Sequence, residues 1–358
     1  MSDSKKEKIE ACAYSGIGGQ AVMEGVMMRN GDKYAVAVRK ADGEIIIKQD
    51  EYKGIIKSKG LYKIPIIRGI LSFIDSLVLG LTTLNFSSDI YMEEPDEAGT
   101  PDKADKTDET DKSGAPDETE TGDKAGDKAK TEKKKKDSSG EGAMSVLVTI
   151  VAVVIAIGLF MVLPYYLSQL FKGFVQNSVL LSLIEGVIRI TLFVAYIKLI
   201  SLMQDIKRVF MYHGAEHKCI NCLESGMELN VENVKKASKE HRRCGTSFLL
   251  YVMVISIIFF SFIQTPVKIL RVILRIVLIP LIAGVSYEFI RKAGRSSSGI
   301  IKALSAPGLW MQALTTSEPD EKMIEVGIRS VEAVFNWKDY LNKNFGADYK
   351  TDTEAAEE

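Results

Sequence analysis

AMSVLVTIVAVVIAIGLFMVLPYYL, residues 143–167, carries no charged side chain. It exceeds the ~20 apolar residues that a helix needs to cross a hydrocarbon core of ~30 Å. Three further runs share its character: SVLLSLIEGVIRITLFVAYIKLISLM (178–203), SFLLYVMVISIIFFSFI (247–263) and VILRIVLIPLIAGVSYEFI (272–290). The connections SQLFKGFVQN and QTPVK are short, so the runs pair as two helical hairpins. A buried soluble core accounts for one such run but not for four. The expected fold class is an α-helical integral membrane protein, with about four transmembrane helices as two hairpins and a small α+β cytoplasmic part.

Outward from the hairpins the chain changes character. Residues 93–142 are Asp, Glu, Lys, Thr and Gly with almost nothing apolar, and such a segment cannot bury enough surface to offset chain entropy. It reads as a disordered charged linker. Residues 60–92 hold a weaker apolar stretch, GLYKIPIIRGILSFIDSLVLGLTTLNF (60–86), interrupted by Arg68 and Asp75. Charges at a helix centre are costly in lipid, so an amphipathic helix on the membrane surface or against the bundle is expected. A fifth span or a re-entrant hairpin is the alternative. Basic residues set the orientation: Lys133 to Lys136 precede the first run, eight Lys and Arg fill residues 204–246, and Arg291, Lys292 and Arg295 follow the fourth run. The short connections carry only Lys172 and Lys268. The positive-inside rule then places the N-terminal region (1–59), the central loop (204–246) and the C-terminal segment (294–358) in the cytoplasm, around hairpins 143–203 and 247–293 of a multi-pass cell-membrane protein. The opening MSDSKKEKIEACAYSG lacks the apolar core of a signal peptide. A net charge of −1 gives no case for nucleic acid.

The chemistry gathers in the central loop. MYHGAEHKCINC (211–222) holds His213 and His217; the remaining histidine, His241, and three of the four cysteines, Cys219, Cys222 and Cys244, lie within the same 32 residues. Cytosolic thiols stay reduced, which favours metal binding or catalysis over a disulfide. His213-x-x-Glu216-His217 puts both imidazoles on one helical face. This is the arrangement in which two histidines hold zinc and the glutamate handles a water proton. A third ligand is needed, from His241, Cys244 or Glu288. A rival set, Cys219 and Cys222 with His241 and Cys244, would form a closed structural site. Simple capping of helices and contact with headgroups would need no metal at all.

The N-terminal stretch opens with a glycine-rich turn, GIGGQ, and YAVAVRKADGEIIIKQ (34–49) reads as two strands around ADGE. The glycines permit close backbone approach, and Gln20, Glu24 and Arg29 are expected to line the cavity of the histidines. The lysine and hydroxyl of a nucleotide-binding loop are missing. Towards the C-terminus, TTSEPDEKMIEV predicts an amphipathic helix with Ser317 as N-cap and Pro319 early inside it, after a Pro-Gly break. Within the runs, Glu185 and Arg189 are spaced to pair. Arg271 and Arg275 share that spacing, and no solute pathway is expected.

GGQAVMEGVMMR (18–29), YHGAEHK (212–218), HRRCGTSFL (241–249) and PGLWMQALTTSEPD (307–320) together resemble the hallmark motifs of the YqhQ family. This is a bacterial membrane family of unknown function, often labelled a predicted metal-dependent enzyme. The resemblance runs from about residue 18 to residue 335, apart from the linker. One departure is Arg242, where the family's usual HPRCGTSF has proline; His241, Arg243 and Cys244 are kept.

Residues and resemblance lead to one expectation: a membrane-embedded metal-dependent hydrolase acting at the cytoplasmic interface, with zinc first among divalent metals. Glu216 is the general base; His213, His217, His241, Cys244 and Glu288 are candidate ligands, and Lys218 and Arg243 line the site. The alternative is a non-enzymatic assembly or quality-control factor for other membrane proteins, its loop stapled by a structural metal. The lipid bilayer is a partner on both readings, and the oligomeric state stays open.

Overall fold

The computed structural model describes residues 13–56, 60–92, 138–263, 265, 267–293 and 298–350. Most of the expected linker, residues 93–137, lies outside them; its last five residues, 138–142, are helical and open the next element. The chain forms two compact units, residues 1–94 with 158–358, and residues 95–157. The second contributes one apolar helix, α2 (Ser138–Ile157).

The first unit begins with a four-stranded antiparallel meander: β1 (Ile17–Val22), β2 (Gly25–Asn30), β3 (Lys33–Arg39) and β4 (Ile45–Glu51). The β3–β4 hairpin around ADGE forms as expected. The preceding glycine-rich stretch, expected as a turn, is itself a hairpin with Met23 and Glu24 at its tip. Gly25 is required there, because a Cβ would lie 2.3 Å from the Ala37 carbonyl oxygen. Alternation gives the sheet two apolar faces. Ile17, Val26, Met28, Ala35 and Ala37 pack on α5 (Gln204–Glu224) and α10 (Glu321–Val334), defined by the core residues Tyr212, Ala215, Cys219, Ile324 and Val331. Val22, Met27, Tyr34, Val36 and Val38 pack on α1 (Ile67–Met92) through Leu79 and Ile90. Large side chains buried this fully contribute about 1.5–3 kcal/mol each.

α1 is a single 26-residue helix with two environments. Its first turns cross α8 (Lys268–Ala293) at glycine against glycine, where a Cβ on Gly69 would lie 2.6 Å from the Gly284 carbonyl oxygen. Beside that crossing Arg68 pairs with Glu288 at 2.6 Å. Its second half lies under the sheet. Asp75 is buried and accepts from the Tyr62 hydroxyl at 2.7 Å, the Tyr52 hydroxyl at 3.1 Å and the Ile55 N–H at 2.9 Å. Both charges that interrupt the stretch are therefore met by protein.

The remaining helices are α3 (Leu163–Gln169), α4 (Ser178–Ile200), α6 (Val231–Lys236), α7 (Gly245–Ser261), α9 (Gly299–Thr315) and α11 (Trp337–Phe345). Among the described residues four helical stretches suffice, by length and composition, to cross a membrane: Ile67–Met92, Leu147–Gly173, Ser178–Ile200 and Ile269–Ala293. The expected third span, α7, is apolar but has only 17 residues. Glu185 pairs with Arg189 as the spacing predicts, at 2.7 Å, and also takes Arg275. Two C-terminal expectations are corrected. α9 continues through Pro307, so there is no Pro-Gly break. The N-cap of α10 is Asp320, which accepts from the Met323 N–H, and Pro319 precedes it.

Candidate metal centre

α5 ends where Gly226, at φ 75°, turns the chain back. His213, Glu216, His217 and Ile220 follow the helical repeat along one face and line a cavity of about 420 Å³. β1 forms the facing wall through Gly18, Gly19 and Gln20, and Arg29, Arg243 and Arg291 add positive charge. Gly19 explains how a strand and a helix come so close: a Cβ there would lie 2.7 Å from Glu216 Cγ.

One ligating atom each from His213, His217 and Cys244 falls within 4.8 Å of the others. His213 Nδ1 donates to the Thr315 carbonyl at 2.9 Å, which leaves Nε2 facing Cys244 Sγ at 3.2 Å. His217 Nδ1 donates to the Lys239 carbonyl at 2.6 Å. Imidazoles that hold a metal are oriented in this way, the far nitrogen spent on a carbonyl and the near one left with its lone pair. The His213–Cys244 separation is close to the roughly 3.6 Å that tetrahedral zinc sets between a nitrogen ~2.0 Å and a sulfur ~2.3 Å away. Cys244 is also the N-cap of α7, with the Thr246 N–H and hydroxyl at its sulfur. A helix N-terminus favours the negative charge that a thiolate ligand carries. Two imidazoles and a thiol therefore fit zinc, and their open side gives onto the cavity.

Glu216 lies beside this trio, its Oε2 3.8 Å from His213 Nε2 and 3.7 Å from His217 Nε2. Burial pushes its carboxyl up to about 7, against the nearby His213 and the Gly19 N–H. His241 stands next to the trio, its ring centroid 5.7 Å from that of His217, but its Nε2 faces Glu224 Oε2 at 3.6 Å. Burial holds His241 down at about 4, so it is neutral at pH 7. Burial alone would raise Glu224; the His241 side chain, the Arg243 guanidinium and the Ser15 N–H hold it at about 2.

Several expected site residues are placed elsewhere. Glu288 is engaged by both Nε and Nη2 of Arg68 and is not brought to the trio. Glu24, at φ 48°, pairs with Arg208 and accepts from Tyr212, outside the cavity wall. Lys218 is buried and donates to the Lys235 and Ala237 carbonyls, with Glu318 at 2.9 Å. It braces the loop and does not line the cavity. The rival set of Cys219, Cys222, His241 and Cys244 is not assembled. Cys219 faces Gly327 and Cys222 faces the carbonyls of Met227 and Glu228, on the core side of α5. Burial raises both thiols, Cys222 to about 12.

Other contributors escaped the sequence reading. Gln312, wholly buried, accepts from the His241 N–H at 2.8 Å and donates to the His241 carbonyl at 2.6 Å and to Ser247 Oγ at 2.7 Å. Thr315 orients His213 and reaches the Thr246 hydroxyl at 3.1 Å. Gly214 admits the turn after α9, whose Ser317 carbonyl oxygen would lie 2.1 Å from a Cβ there. Gln312, Thr315 and Ser317 belong to the PGLWMQALTTSEPD motif, which clamps the site's two halves together.

Residues 64–337 match the family described as "Protein of unknown function (DUF1385)". The "Uncharacterized protein YqhQ" of Bacillus subtilis (strain 168) is 35% identical over 317 residues, which cover 87% of this chain and 90% of that protein. No solved structure matches. The site is thus built from the motifs that carry the resemblance, and the chain belongs to the YqhQ family, that of the DUF1385 proteins.

Proposed function

We propose that the protein is a metal-dependent enzyme, a hydrolase, whose site lies at the membrane–water boundary on the cytoplasmic side. One observation carries the reading: His213 and His217 each commit Nδ1 to a backbone carbonyl while Cys244 meets them from another helix. A structural zinc is closed by four protein ligands, whereas a catalytic one keeps a position open. Three ligands beside a cavity of about 420 Å³ favour the catalytic case. A zinc held there supplies a Lewis acid for the oxygen of a bound acyl or phosphoryl group. Glu216, with a carboxyl near neutrality, holds and releases the proton that such hydrolysis moves. Arg29 and Arg291 favour an anionic substrate, while Arg243 is paired with Glu224. Ile290 and Arg291, at the end of apolar α8, line the cavity and favour a mouth at headgroup depth.

Membrane insertion is supported by the outward face of the helices, where Val154, Val187, Leu199, Ile269 and Val277 are all more than 60% exposed. Soluble surfaces do not carry apolar area on that scale. The basic clusters around the hairpins favour cytoplasmic termini.

The test is metal content by mass spectrometry, on protein purified without chelator or polyhistidine tag, beside His213→Ala/His217→Ala and Cys244→Ser. Near-stoichiometric zinc or manganese in the parent, lost in both variants, is the expected result. A metal-free parent that melts cooperatively at the temperature of the variants would overturn the reading.

A further inference from the structure

A second charged site lies at the opposite end of the apolar helices. α7 starts at the metal centre and runs 17 residues away from it, and α8 returns, so the two ends stand roughly 25 Å apart at 1.5 Å per residue. At the far end a cavity of about 310 Å³ is bounded by Gln169 and Lys172 at the close of α3, by Ser182 and Glu185 of α4, and by Arg271 and Arg275 of α8. Its charge does not balance. Glu185 is the one acidic residue in residues 158–204 and 245–287. Its two oxygens are taken by Arg189 at 2.7 Å and by Arg275 at 2.6 and 2.8 Å. Both arginines are at least 96% buried, so two buried cations already share one carboxylate. Among the described residues Arg271 donates to the Thr265 carbonyl and lies over the Tyr165 ring at 5.6 Å, and neither it nor Lys172 has an acidic partner.

The hydrogen-bond inventory points the same way. Gln169 Nε2, Arg271 Nε and Arg275 Nε are buried donors with no acceptor, and all three residues line this cavity. Buried donors are nearly always satisfied. A ligand that only accepts and that carries negative charge would satisfy all three. A water has donors of its own to place, and a carbonyl ligand brings no charge. An interhelical ion triad alone would hold the hairpins together, yet it would need neither Arg271 nor Lys172. Their position is also unfavourable for topology, since basic residues are disfavoured on the translocated side of a membrane.

We propose that this cavity binds a phosphate-type oxyanion between Lys172, Arg271 and the Arg189–Glu185–Arg275 triad, with Gln169 as a neutral donor. The oxyanion is a lipid headgroup phosphate or a free one; the recognising chemistry is the same. The site is independent of the metal centre and stands whether or not that centre is catalytic.

The test uses the full chain in detergent with two probes, inorganic phosphate in thermal melts and phosphatidylglycerol in native mass spectrometry. The variants are Lys172→Gln/Arg271→Gln and, should that pair fold poorly, Gln169→Leu, which removes a donor without changing charge. Lys198→Gln, at the other end of α4, controls for general attraction. A charge-assisted hydrogen bond is worth ~1.5–3 kcal/mol, so the double variant should bind at least about tenfold more weakly, with the control unchanged. Stabilisation by phosphate alone identifies a free oxyanion, and retention of the lipid alone identifies a headgroup. Binding of neither, or equal binding by parent, site variants and control, would overturn the proposal.

Discussion

Gln312→Leu tests whether the C-terminal motif holds the candidate site together. The side chain is wholly buried and makes three hydrogen bonds of 2.6–2.8 Å, two of them to the backbone of His241. Leucine fills a similar volume, so little cavity is created, and the loss is that of the polar contacts. It leaves the His241 N–H and carbonyl without their partner in a region closed to water, while the Ser247 hydroxyl keeps its bond to the Gly308 carbonyl at 3.0 Å. Each unsatisfied group costs ~1–3 kcal/mol, which puts the floor at about 2 kcal/mol for the two together. At ~2–4 °C per kcal/mol the apparent Tm falls by about 4–8 °C, read by tryptophan fluorescence in one detergent at one protein concentration. The second readout is metal affinity. His241 is three residues before Cys244, so a loosened loop moves the sulfur away from His213. Residues that orient ligands in this way are worth ~10–100-fold in affinity. A Tm change below about 2 °C would refute the clamp, and a large Tm change with unaltered zinc content would refute its role in placing Cys244.

Glu216→Gln should stabilise the metal-free protein in alkali. The folded carboxyl, at about 7, lies above an unfolded value of about 4.3, so its favourable contribution is complete below pH ~4.3 and is lost as pH rises through ~7. At pH 8 the buried charge carries its full penalty, on the order of 3 kcal/mol, and glutamine removes it; melts of chelated protein that shift equally at pH 4 and pH 8 would contradict the burial argument. Gly214→Ala should destabilise although alanine is the better helix former by ~1 kcal/mol. Its Cβ would meet the Ser317 carbonyl oxygen at 2.1 Å, a backbone atom that cannot step aside without opening the turn after α9. The expected cost is ~1–3 kcal/mol with loss of bound zinc, and a variant as stable as the parent would show that no such contact exists.

How far the sequence could be read depends on the range of the interactions involved. The H-x-x-E-H spacing sufficed to place His213, Glu216 and His217 on one face, because that relation is local to α5. Cys219 and Cys222 looked equally suited to zinc by spacing, but their phase on the same helix turns them away from the cavity, Cys219 towards α10 and Cys222 towards the Met227 and Glu228 carbonyls. A helical projection would have separated the two sets, with residues 213, 216, 217 and 220 on one side and 215, 219 and 222 on the other. Gln312 and Thr315 carried no local sign. Gln312 meets its partner 71 residues back in the chain, and nothing in PGLWMQALTT specifies which carbonyl a buried glutamine will find. Glu288 and Arg68 were each legible as costly charges in apolar surroundings. That each is the answer to the other, across 220 residues, needed the crossing of α1 and α8 at Gly69 and Gly284.

On the proposed membrane insertion, topology follows from counting sides. The sheet, α5 and α10 share one core, so β1–β4 and the metal centre lie on the same side of any bilayer. A chain that leaves that side after β4 and returns to it at α5 makes an even number of crossings. Three helical stretches long and apolar enough intervene, Ile67–Met92, Leu147–Gly173 and Ser178–Ile200, so one of them does not cross. α1 is that one: Leu79 to Ile90 lie under the sheet and Asp75 is held by Tyr52 and Tyr62. From α5 to α9 the same parity requires α7 to cross with α8. Its 17 residues span only ~25 Å of a ~30 Å core, a mismatch that thinning and tilted neighbours absorb at a fraction of a kcal/mol per Å. Length and hydropathy would choose α1 over α7, whereas packing chooses the reverse. The test is a reporter inserted at residue 115, on the linker: parity places it on the same side as the metal centre, and a signal from the other side would mean that α1 crosses and that the chain makes a further, unrecognised return.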